Sequence, residues 1–140
     1  MSKVADLFKA YLESKDVKYT YFEATEERNE AVKVSFSGNN AESIASFFFF
    51  DKDGGSVNIK SFSIAKVAEG KIPTMYALLN ALNNEYRWAK FYLDKDNEVT
   101  CSSDAVLGAE NAGAECFELL IRLTDIIDEV YPRIMKAIWG

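Results

Sequence analysis

The stretch NALNNEYRWAKFYLDKDNEVTCS, residues 80–102, holds the end of a helix and the opening of a hairpin. Residues 89–93 and 98–103 supply two strands, and Asp94-Lys95-Asp96-Asn97 supplies a turn-rich connector between them. Upstream, Gly70-Lys71-Ile72-Pro73 opens the helix, with Pro73 in a first turn where a missing N–H costs nothing. Ile72, Met75, Tyr76, Leu79, Leu82 or Asn83, and Tyr86 form its expected buried stripe.

Toward the N-terminus, four strand-like segments precede that helix. Residues 17–23 place Val17, Tyr19 and Tyr21 on one face. Residues 31–37 alternate, with Val32, Val34 and Phe36 inward and Lys33, Ser35 and Ser37 outward. Residues 43–50 end in four consecutive Phe, so both faces of that strand are apolar. Phe48 and Phe50 are in phase with Ile44 and are expected in the core, which leaves Phe47 and Phe49 pointing the other way. Residues 56–67 put Val57 and Ile59 on one face and then change phase. Phe62 and Ile64 are therefore expected to continue the apolar side past a bulge near Lys60-Ser61. Ser37-Gly38-Asn39-Asn40 and Asp51-Lys52-Asp53-Gly54-Gly55 supply hairpin residues that tolerate positive φ.

The chain opens on a helix over residues 2–14, striped by Val4, Leu7, Phe8, Tyr11 and Leu12, with Ser2 or Asp6 favouring its first turn. Residues 104–111 read as a loop and residues 112–139 as a long helix. Pro132 removes the bond to the Asp128 carbonyl, which predicts a kink or a break at Tyr131. The order α-β-β-β-β-α-β-β-α gives an α+β fold of two layers, a mostly antiparallel sheet with helices packed on one face. Residues 1–140 are expected to form a single domain.

Composition narrows the function. The net charge of −6 comes from 22 acids against 16 Lys and Arg spread evenly among them, which argues against nucleic acid and anionic membrane as partners. There is no histidine, so no Ser-His-Asp triad, Cys-His dyad or imidazole metal ligand can form. Nucleophile-elbow, phosphate-loop and dinucleotide-loop glycine motifs are missing. Asp51-x-Asp53-Gly54-Gly55 lacks the later oxygen ligands of a calcium loop, and Asp94-x-Asp96-x-Glu98 has Val99 where that loop needs glycine. No catalytic residue, metal or cofactor is expected. Cys101 and Cys116 read as buried thiols. Neither a secretory apolar segment nor a run of membrane-spanning length occurs, so a cytoplasmic location is expected.

Leu79-Asn80-x-Leu82-Asn83 followed by Tyr86-Arg87-Trp88-Ala89-Lys90-Phe91-Tyr92-Leu93, with Tyr131-Pro132 near the end, resembles the YbjN-type domain. The resemblance implies a type III secretion chaperone-like fold, a label of bacterial sensory transduction regulator, homodimerisation and non-catalytic protein binding. It brings no catalytic residues. Asn80, Asn83, Phe91 and Pro132 match motif positions read as structural, the asparagines orienting the helix end against the hairpin. The run Phe47–Phe50 departs from the family pattern.

Two surpluses of apolar surface point to partners. One is Phe47 and Phe49. The other is a second stripe in the last helix, Leu119, Leu123, Ile126 and Val130, beside a first one of Phe117, Leu120, Ile121, Thr124, Ile127, Tyr131 and Ile134. The expected function is a protein-binding module, chaperone-like or regulatory, acting as a homodimer on an unidentified protein partner. The alternative is a small-ligand carrier or cryptic enzyme with an aromatic-lined cavity between sheet and helices.

Overall fold

A computed structural model describes residues 3–140. The elements are α1 (Lys3–Ser14), β1 (Thr20–Phe22), β2 (Ala31–Phe36), β3 (Ile44–Phe50), β4 (Ser56–Lys66), α2 (Ile72–Glu85), β5 (Lys90–Leu93), β6 (Glu98–Val106) and α3 (Ala112–Trp139). The expected order of elements is the observed one; the capping role considered for Ser2 lies outside the described residues. The six strands form one antiparallel sheet in the order β1-β2-β3-β4-β6-β5. Helices cover one face, and the other is left bare.

Strand alternation decides which side chains reach the helices. Along β3, Ile44, Ser46, Phe48 and Phe50 are buried while Ala45, Phe47 and Phe49 are only half-buried. Phe8 of α1 lies 4.6 Å from Phe48 and 6.2 Å from Phe50, ring centre to ring centre, so these three aromatics fill the space under the first helix. Leu120, Leu123, Ile127, Val130 and Ile134 of α3 complete the core. Gly113 lets α3 cross α1 closely, because a Cβ there would stand 2.7 Å from the Leu7 carbonyl oxygen.

Several expectations are corrected. Tyr76 is exposed, because the buried line of α2 is Met75, Leu79 and Leu82 and Tyr76 falls on its solvent side. The bulge in β4 lies one step later than expected. Ser61 pairs with Cys101, and the next paired residue is Ala65, opposite Val99, with Ser63 at φ 53 between them. The inward series is therefore Val57, Ile59, Ser61, Ala65 and Val67, and Phe62 is thrown onto the outer face, 44% exposed. β1 keeps three residues rather than the seven of the segment, and β6 reaches Val106 because the long β4 pairs with it as far as Ser56↔Val106.

Pro132 does not break α3, which is a single helix from Ala112 to Trp139. The Asp128 carbonyl that the proline leaves without a donor accepts instead from Nδ2 of Asn40, at 3.0 Å. The carboxylate of the same Asp128 accepts the N–H groups of Asn39, Asn40 and Ala41, at 3.0, 2.8 and 2.9 Å. The β2–β3 connector and the proline turn of α3 thus complete each other's hydrogen bonds. Gly38 lies so close that a Cβ there would run into the Asp128 carboxylate.

Candidate functional site

The bare face of the sheet is built by register. One row across the strands reads Phe22, Ala31, Phe49, Asn58 and Asp104. The next reads Thr20, Lys33, Phe47, Lys60, Ser102 and Lys90. Phe62, released by the bulge, joins from the side. Phe47 lies 6.2 Å from Phe22, 6.0 Å from Phe49 and 5.6 Å from Phe62, with Phe49 and Phe62 6.3 Å apart. Four rings therefore form one continuous apolar patch around a shallow hollow of about 250 Å³, which Arg28 and Ala31 also line. No helix of the described chain covers it.

Cations border this patch. The Arg28 guanidinium lies 5.6 Å from the Phe22 ring centre, and Nζ of Lys33 lies 5.5 Å from that of Phe47. Lys60 stands opposite Phe47 in the neighbouring strand. Among the described residues, none of these three cations forms an ion pair with a carboxylate. On the far side, Asp104 is engaged by Nδ2 of Asn58 at 2.8 Å.

The sequence singled out Phe47 and Phe49, and both lie in this patch. It missed Phe22, Phe62, Arg28, Lys33 and Lys60 as neighbours. The outward phase of Lys33 was legible, but Phe22 and Lys60 join Phe47 through strand register, and Phe62 joins through the position of the bulge. The second stripe of α3 fares differently. Leu123 and Val130 are buried in the chain's own core, at 2% and 0% exposure, which removes them as an outer face. α3 lies against α1, α2 and the sheet, so its apolar arc is wide for internal reasons. Leu119 and Ile126 sit half-buried at the rim of that arc.

Asn83 has a sharper position than the motif suggested. Its Oδ1 accepts the Phe91 N–H at 2.8 Å, and its Nδ2 donates to the Phe91 carbonyl at 3.0 Å. Phe91 belongs to β5, the edge strand, and alternation turns its backbone groups away from β6. The carboxamide therefore occupies the place of a neighbouring strand and closes part of an open edge. Lys90 reaches back to the carbonyls of Asn83 and Tyr86 at 2.9 and 3.1 Å, covering the end of α2. Asn80 is exposed, and its carbonyl accepts from Asn84 Nδ2.

The remaining reactive groups serve the fold. Asp94, Asp96 and Glu98 bring carboxylate oxygens within 4.8 Å of one another. Asp94, however, accepts from the backbone N–H groups of Asp96 and Glu98 and from the Thr100 hydroxyl, which shapes the hairpin turn. These bonds, the one from Glu98 foremost, hold its pKa below the usual carboxylate value. Burial pushes the Cys101 and Cys116 thiols up to about 12, far from the thiolate a nucleophile needs. Trp88, at φ 74, is half-exposed between α2 and β5, with the guanidinium groups of Arg87 and Arg122 5.0 and 5.3 Å from its ring centre. No helix among the described residues is long and apolar enough to cross a membrane.

The sheet order and the bare outer face can be set beside known proteins. Among curated protein sequences, none matches this chain. Among solved structures, YbjN from E. coli superposes with a TM-score of 0.60 at 14% identity, over 92% of each chain. A chain of the ExsC–ExsE complex superposes with a TM-score of 0.59 at 16% identity, over 94% of this chain and 96% of that one. At these identities the likeness establishes the fold alone, which this chain shares with those two structures. The sequence profile of the YbjN family, described as "Putative bacterial sensory transduction regulator", matches residues 5–134. The chain belongs to the YbjN family.

Proposed function

We propose that this chain is a non-catalytic protein-binding module, chaperone-like or regulatory, that works as a homodimer in the cytoplasm. The observation that carries the reading is the uncovered patch of Phe22, Phe47, Phe49 and Phe62. Soluble chains seldom leave contiguous aromatic surface open without a partner to cover it. The chain has no histidine, and its two thiols are buried and held protonated, which supports binding over catalysis. The description of the family as a regulator, and the presence of the similar ExsC–ExsE chain in a protein complex, support the same reading.

A small-ligand carrier would need an aromatic-lined cavity between sheet and helices. Under α1 that space is filled by Phe8, Phe48 and Phe50, and the hollow of about 340 Å³ between β3, β4 and α3 has only Phe62 and Tyr131 as aromatic lining, so the protein-binding reading is preferred. Of the second α3 stripe, half-buried Leu119 and Ile126 remain for a dimer contact, beside the exposed Ile121 and Trp139 of the same helix.

Two measurements test the proposal. Light scattering behind size exclusion at tens of micromolar should give twice the chain mass; the chain mass alone would overturn the dimer. Replacing Phe47 and Phe49 together with Ser should cost less stability than Phe48→Ala, for which about 3–5 kcal/mol is expected. The same double variant should weaken self-association or partner capture. Equal costs with unchanged association would make the outer patch ordinary core.

A further inference from the structure

Resting on that reading, we propose that the partner seated on the outer aromatic face is a polypeptide segment with an apolar centre flanked by carboxylates. The warrant is the placement of charge. The chain as a whole is acidic, at −6, yet the rim of its open aromatic patch is cationic. Arg28 lies over Phe22, Lys33 over Phe47, and Lys60 faces Phe47 from the other side.

Among the described residues no carboxylate lies within ion-pair distance of these cations; Asp104, on the same face, is held by Asn58, and Glu23, Glu26 and Glu27 belong to the connector between β1 and β2 that also carries Arg28. Arg28 spends its Nη1 on the carbonyls of Glu23 and Asn29, which fixes the guanidinium while leaving its charge unmatched. Positive groups held at the edge of an apolar surface select partners by charge and speed their encounter. They also repel a basic segment that would otherwise suit an acidic protein.

The register sets a scale for the partner. Lys33 and Lys60 lie on either side of Phe47, two strand spacings apart, roughly 10 Å. Carboxylates that meet both must straddle one or two apolar side chains lying on Phe47 and Phe49. A short extended segment does this, since three residues of strand span about 10 Å.

The test uses the full chain and three synthetic peptides that share one apolar centre, acetyl-X-X-Leu-Phe-Leu-X-X-amide, where X is Glu, Gln or Lys. Binding is read by isothermal titration at low salt and again in molar salt. The Glu peptide should bind at least ten-fold tighter than the Lys peptide, and salt should bring its affinity down to that of the Gln peptide. K33E/K60E should abolish or invert the preference, and K33Q/K60Q should reduce it, with far-UV circular dichroism unchanged in both. Equal or tighter binding of the Lys peptide would overturn the acidic partner while leaving the aromatic face as a binding surface. Failure of all three peptides to bind would overturn both.

Discussion

Replacing Asn83 with alanine removes the group that stands in for a missing strand. The carboxamide makes two hydrogen bonds to one residue, accepting from the Phe91 N–H at 2.8 Å and donating to its carbonyl at 3.0 Å. Each such bond contributes about 1 kcal/mol net, and a buried partner left unmet adds about 1–3 kcal/mol. Phe91 is 2% exposed, so only part of the lost bonding can be restored by water. The expected cost of Asn83→Ala is therefore about 2–3 kcal/mol, seen as a lower urea midpoint at unchanged slope. In a chain of this length that corresponds to a fall of about 10 °C in Tm. Asn83→Asp sharpens the test. A carboxylate still accepts the N–H but sets a second acceptor against the Phe91 carbonyl, so it should be no better than alanine. Asn80→Ala, at an exposed position, should stay within about 0.5 kcal/mol. Opening the β5 edge should also raise concentration-dependent association of the Asn83 variants. If Asn83→Ala costs under about 0.5 kcal/mol, or Asn83→Asp matches the wild type, the strand-substitute role is refuted.

Asn40 and Pro132 should be energetically coupled. Asn40→Ala should cost about 1 kcal/mol in the wild type and close to nothing in Pro132→Ala, where a backbone N–H returns to the Asp128 carbonyl; a urea double-mutant cycle measures this, and additive costs would contradict it. Acid sensitivity should trace in part to Asp94 and Asp128. Backbone N–H donors lower both folded pKa values, so their stabilisation is complete above the unfolded value of about 3.9 and is lost as pH falls through the lower folded values. Asp128→Asn should flatten stability against pH below about 4, a slope that urea titrations at stepped pH would read. Gly113→Ala should cost about 1–3 kcal/mol by forcing α1 away from α3, with Ala114→Gly as the helix-propensity control.

The sequence determined the elements, because periodicity is local. Alternation in residues 31–37 and 43–50 and the 3.6-residue stripe of α1 depend only on which side chains repel water, and they place Val32, Val34, Phe48 and Phe50 inward without knowledge of any neighbour. The missing histidine likewise excludes imidazole chemistry whatever shape the chain takes. Three features escaped because they are agreements between distant residues. The bulge can be placed one step too early from the sequence, since only pairing with β6 shows that Ser61 stays inward and Phe62 turns out. Pro132 gave a correct local signal, a lost hydrogen bond, whose remedy came from Asn40, 88 residues away as measured from Asp128. The wide apolar arc of α3 read as a possible outer face, and packing within one chain buried Leu123 and Val130 instead. The candidate surface is of this second kind. The Phe47–Phe50 run announced that a second face was apolar, but register alone brought Phe22, Phe62, Arg28, Lys33 and Lys60 around Phe47. Side-chain phase is written within a strand; what stands beside it is decided by the strand across from it.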